Sequence, residues 1–143
     1  MKKILLSLLL VSVAQFFGPA FAAAPVTVSD AWFRSLPGNL PAGGYFTAHN
    51  GGKKDLAITG ASSSACGMLM LHESENKGGM SGMNMVEKVP LPAGGDAKFS
   101  PGGFHLMCEQ PKMKVGGKAA VSLSLSDGSS INVNFDVKDA KGK

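Results

Sequence analysis

The segment FHLMCEQP (104–111) brings His105, Met107 and Cys108 within four positions. Each of these residue types can bind a soft metal ion. Two further runs carry similar chemistry: MLMLHE (68–73) holds Met68, Met70 and His72, and MNM (83–85) holds Met83 and Met85. The chain has eight methionines. Met68, Met70, Met80, Met83, Met85 and Met107 crowd one stretch, whereas residues 23–67 contain none. Thioethers are soft and neutral, and imidazole is borderline. Together they suit Cu(I), whereas structural zinc relies on thiolates and hard cations on carboxylates. A neutral set of two His and two Met holds a monovalent ion without the tightness of a thiolate complex. It also survives an oxidising compartment, where free thiols pair.

Such donors must be carried by strands, because the sequence alternates rather than repeating with helical period. Alternating runs occur at 26–34, 44–50, 56–61, 68–73, 83–89, 96–100, 104–109, 119–126 and 131–137. They are separated by turn chemistry such as LPG (36–38), NGG (50–52), PAGG (92–95), SPGG (100–103) and SDG (126–128). Nine short strands at this spacing predict an all-β, antiparallel Greek-key sandwich. The clearest hairpin is AVSLSLSDGSSINVNFDV (120–137), where Val121, Leu123 and Leu125 alternate with serines. ESENKGGMSGM (73–83) reads by composition as a flexible loop, and the tail KDAKGK (138–143) is expected to fray.

Strand parity then sorts the donors, since successive side chains point to opposite faces. Phe104, Leu106 and Cys108 share the core face, and His105 and Met107 point out toward solvent or a cleft. Leu69 and Leu71 likewise face the core, which leaves Met68, Met70 and His72 outside. In a hairpin closed by the loop, Met83 or Met85 falls opposite His72. The predicted donor set is therefore His72, Met83, His105 and Met107. Cys108 is structural and expected to pair with Cys66. The weak step is Cys66 itself, which shares parity with Met68 across Gly67 and faces outward unless a glycine bulge intervenes.

The first 22 residues have two lysines, an apolar run and an Ala-x-Ala end, which reads as a secretory signal peptide cut after Ala22. Residues 23–143 then form a single domain of ordinary size. In an exported chain, two cysteines read most simply as one disulfide, and no CxxC supports a redox motif. The formal charge of +4 includes Lys2 and Lys3, and Arg34 is the sole arginine, which argues against a nucleic-acid partner.

At this point the spacing becomes informative. His72, ten residues, Met83, twenty-one residues, His105, one residue, Met107 resembles the H-x10-M-x21-H-x-M pattern of the periplasmic PCu(A)C-type copper chaperones. DAWFRSLPGNLPAGGYFTAHN (30–50) and VPLPAGGDAKFSPGGFHLM (89–107) resemble the flanking regions of that family. The resemblance implies a cupredoxin-like β-sandwich that binds Cu(I) as transported cargo through these four residues. It implies a periplasmic, monomeric, non-enzymatic carrier, free of the membrane once the leader is cut. It further implies delivery toward cytochrome c oxidase, with a Sco-type protein or oxidase subunit II as acceptor. The chain departs from the pattern in its extra methionines. Met68, Met70, Met80 and Met85 form either an accessory thioether patch that contacts copper or an apolar rim for docking.

The same residues bear on other functions. A blue-copper electron carrier needs a cysteine thiolate with two histidines and a weak axial methionine, but here no histidine follows Cys108 and parity turns it inward. A copper-sequestering resistance protein uses the same donors for storage. A zinc enzyme lacks carboxylate partners and a general base. His49 reads as a polar residue at a turn, and Trp32 and Tyr45 read as core aromatics.

Overall fold

The computed structural model describes residues 25–143, so the expected leader lies outside the described residues. Ten strands follow in chain order: β1 (Val26–Arg34), β2 (Ala42–Asn50), β3 (Leu56–Ser62), β4 (Met68–Lys77), β5 (Met80–Met85), β6 (Val89–Leu91), β7 (Asp96–Phe99), β8 (Phe104–Glu109), β9 (Lys118–Leu125) and β10 (Ser130–Lys138). The described residues contain no helix. One continuous sheet runs β5-β4-β8-β7-β2-β1-β10-β9-β3-β6, with β8 also pairing β2. Because β3 packs against β4 and β6 against β7, the sheet folds over itself into two layers around one core. Pairing is antiparallel except for β1 with β10 and a single parallel pair, Phe99 with Phe104, joining β7 to β8.

The core follows from alternation. Phe33, Phe46, Phe135, Ile58, Leu91, Leu106 and Leu123 are fully buried. Phe46 stacks on Phe99 at 4.2 Å and meets Phe135 edge-on at 5.6 Å, so three strands are tied through one aromatic group. Burying each such ring is worth about 2–3 kcal/mol. Asn50, also fully buried, is satisfied on every side. Its amide donates to the carbonyls of Lys54 (2.8 Å) and Leu91 (3.1 Å), and its oxygen accepts from Gly52 N–H (2.9 Å).

Several local expectations are corrected. The glycine-rich stretch 73–83 is not a loose loop: it is most of the β4–β5 hairpin, closed by Gly78 and Gly79. Both glycines have positive φ (60° and 81°), which a two-residue hairpin turn of the type I′ class requires. The run 83–89 is two strands rather than one, β5 ending at Met85 and β6 starting at Val89. The tail does not fray: Asp139 accepts from the Lys141 and Lys143 amides at 2.9 and 3.0 Å, making a tight terminal turn. Trp32 and Tyr45 are not between the layers. Phe33 and Phe46 take the inward positions, so Trp32 and Tyr45 meet on the opposite face, tilted with ring centroids 4.9 Å apart, where Tyr45 is nonetheless buried.

The two ends of the sheet differ. β6 has three residues and contains Pro90, whereas β5 has six residues, all exposed, with neither charge nor proline.

Candidate metal centre

The register of β4, β8 and β5 sets out the donors. Across β4 and β8, His72 pairs with His105 and Met70 with Met107. Across β4 and β5, His72 pairs with Met85 and Ser74 with Met83. Directly paired residues share a face, so His72, Met83, Met85, His105, Met107, Met70 and Met68 all lie on one side of the sheet. Met80 pairs with Lys77 and falls on the other side of the hairpin. Among the accessory methionines, the structure thus brings Met68, Met70 and Met85 to the donor face and turns Met80 away. Direct pairing with His72 falls to Met85, and Met83 reaches that histidine on the diagonal.

A cleft of about 340 Å³ opens on this face. Met83, His105 and Met107 line it together with Arg34, Tyr45 and Leu40. His72 stands beside it, its ring centroid 5.8 Å from that of His105. Parity gave the correct face for His105 but not its depth: it is buried at 5 % exposure. The covering material comes from the 34–41 segment, which supplies Arg34, Leu36, Leu40 and Pro41 to the cleft wall. Met83 remains 60 % exposed and Met85 70 %.

The two imidazoles are prepared differently. His105 Nδ1 lies 3.1 Å from the Gly103 carbonyl. A carbonyl only accepts, so Nδ1 donates the hydrogen and Nε2 is the nitrogen left to meet a metal, the arrangement common to metal-bound histidines. His72 Nδ1 is buried without a hydrogen-bond partner. Burial of His72, and then the proximity of His105, hold its pKa below the ordinary value of 6.5, partly opposed by Glu109. A neutral ring with an unsatisfied nitrogen is what a soft cation would complete. Among the described residues no three His, Cys, Asp or Glu side chains cluster to hold a metal.

Cys66 and Cys108 form a disulfide, with Cα atoms 5.4 Å apart. Cys66 lies in the turn before β4, with its amide bonded to the Ser63 carbonyl, and is buried. Strand parity does not extend to it, which corrects the expected outward orientation. All four expected donors lie in the chain between the two cysteines.

Residues near the site that sequence reading passed over are Arg34, Tyr45 and Gly43. The Arg34 guanidinium carbon sits 5.4 Å from the Tyr45 ring centre and 5.6 Å from that of Trp32, a cation–π stack. Gly43 pairs with Met107. A Cβ there would lie 2.6 Å from the Tyr45 hydroxyl, so a larger residue would push that ring out of its present place. The signal was available: with Phe33 and Phe46 inward, Arg34 and Tyr45 must face the donor side. His49 stays outside the site, with Nδ1 2.6 Å from Asp96 on the exposed end of β2.

Comparison with known proteins agrees with this architecture. The copper-bound PCuAC domain from PmoF2 superposes with a TM-score of 0.68 at 20% identity, covering 83% of this chain and 97% of that one. The Cu(I) form of DR1885 from Deinococcus radiodurans, solved in solution, gives a TM-score of 0.65 at 31% identity over 82% and 81% of the two chains. The fold is the cupredoxin-like β-sandwich of these domains. Residues 26–137 match the family described as "Putative lipoprotein LpqE-like", and the chain belongs to that LpqE-like family. It is also 35% identical, over 127 residues, to "Putative lipoprotein Lxx21020" of Leifsonia xyli subsp. xyli (strain CTCB07), covering 87% of this chain and 76% of the relative.

Proposed function

We propose that this chain is an exported carrier of Cu(I), which holds the ion through His72, Met83, His105 and Met107 and passes it to an acceptor. The observation that carries the reading is the β4–β8 register, which sets His72 across from His105 and Met70 across from Met107, on the face where Met83 lines the same cleft. The Gly103 carbonyl at His105 Nδ1, which leaves Nε2 to face an ion, and the orphaned Nδ1 of His72 support it. The copper named for the PmoF2 domain and for DR1885 points the same way, and the lipoprotein description of the family fits an exported chain. With the thiols consumed in a disulfide, the available soft donors are neutral. Neutral donors favour reversible loading over tight storage.

The finer reading is a monomeric periplasmic carrier, not an enzyme. It would deliver copper toward cytochrome c oxidase, with a Sco-type protein or oxidase subunit II as acceptor. The test is an anaerobic Cu(I) competition titration of the wild type against His72→Ala, Met83→Ala, His105→Ala and Met107→Ala. One ion per chain in the wild type is expected, with affinity weakened at least about tenfold by each imidazole loss, a step of roughly 1.4 kcal/mol. A chain that takes up no Cu(I), or four variants that match the wild type, would overturn the proposal. Transfer that fails with every thiol acceptor tried would instead mark a sequestering protein.

A further inference from the structure

Three of the proposed donors, His72, His105 and Met107, lie on the adjacent strands β4 and β8. Met70 completes their square. It pairs directly with Met107, and it stands two residues from His72 on the same face of β4. Directly paired side chains have Cβ atoms about 4.5–5.5 Å apart. Met83 has a weaker claim by geometry. It belongs to the exposed edge strand, pairs with Ser74 rather than His72, and reaches that histidine across a diagonal of roughly 7–8 Å. Met70 is half-buried, yet it takes no part in the hydrophobic core, whose inward positions on β4 are filled by Leu69 and Leu71. Its side chain therefore lies on the donor face, in the position directly across from Met107.

Resting on the copper reading above, we infer that Met70 is a fifth donor, and that Met70 and Met83 compete for one position on the ion. A cuprous ion holds at most about four such donors, so five cannot bind at once. In the exchange the Cu–S bond to Met83 breaks as a Cu–S bond to Met70 forms. Both ligands are neutral, the ion stays monovalent, and no proton or electron moves. The consequence is an ion that stays anchored on β4 and β8 while the β5 arm releases it. The side of the ion toward the exposed edge is then free for a soft donor from an acceptor.

The experiment is a double-mutant cycle on Cu(I) affinity with Met70→Leu, Met83→Leu and the double variant. Leucine keeps the volume at two positions that face away from the core, so the fold is retained. Met70→Leu alone should change affinity by less than about threefold, and Met83→Leu by about tenfold or less. The double variant should lose on the order of a hundredfold more than the product of the singles, the mark of two donors that substitute for each other. Methionine-methyl NMR gives an independent readout: in Met83→Leu, one equivalent of Cu(I) should shift the Met70 methyl resonance. A double variant equal to Met83→Leu alone, with an unmoved Met70 methyl, would overturn the inference and leave the four-donor carrier intact. A wild type that binds no Cu(I) would instead overturn the carrier reading itself.

Discussion

Removing the Cys66–Cys108 bridge is the perturbation with the most calculable outcome. The two cysteines are 42 residues apart in sequence, and the closed loop contains β4 through most of β8 with every proposed donor. Cross-linking a loop of that length restricts the unfolded chain by about 4 kcal/mol on the chain-entropy account. Cys66→Ala/Cys108→Ala should therefore unfold at lower denaturant. With a slope of roughly 1.5–2 kcal/mol/M in urea, the midpoint should fall by about 2–3 M. In a thermal scan the same loss corresponds to a drop of roughly 16 °C for a domain of about 120 residues. Fluorescence of Trp32, the sole tryptophan, reports the transition, and its position on the donor face makes it sensitive to the strands concerned. A midpoint shift equivalent to less than about 1 kcal/mol, at unchanged slope, would refute the reasoning. It would mean that the β4–β8 ladder alone confines this segment.

Two further outcomes follow from single residues. Asn50→Ala removes a fully buried amide with three backbone partners and should cost about 3 kcal/mol in urea unfolding, because the Leu91 and Lys54 carbonyls and the Gly52 amide lose their partner together. His72 titrates with its pKa held below 6.5 by burial and by His105. The folded chain thus takes up that proton less readily than the unfolded chain. Stability of the metal-free protein should be full above pH 6.5 and should fall as pH drops through the window beneath it. His72→Gln should flatten that part of the profile, as urea midpoints at pH 7.5 and 5.5 would show.

Alternation made the donor strands legible, because Leu69, Leu71, Leu106 and Cys108 mark the inward face without reference to any other part of the chain. It assigned a face to His105 but could not assign its depth, which depends on residues 34–41 folding across β8. It misjudged 73–83 because glycine and polar residues describe a flexible linker and a tight two-residue hairpin equally well. Only the positive φ of Gly78 and Gly79 separates the two. The choice between Met83 and Met85 opposite His72 turned on hairpin register, which the exact length of the turn decides. Cys66 defeated parity because it precedes its strand. Trp32 and Tyr45 read as core aromatics, although the phenylalanines beside them occupy the inward positions; of the two only Tyr45 is buried, and on the donor face.

The unequal ends of the sheet bear on how the molecule behaves in crowded solution. At the β6 margin a proline withholds one amide and the strand stops after three residues. At the β5 margin six residues lie along an open ladder with no lysine, glutamate or proline to turn a neighbour aside. Copies driven together at high concentration would meet along the methionine-bearing margin, so self-association and the proposed copper loading would draw on the same rim. Sedimentation of empty and loaded protein over a dilution series would register that rivalry as a dissociation that shifts with metal.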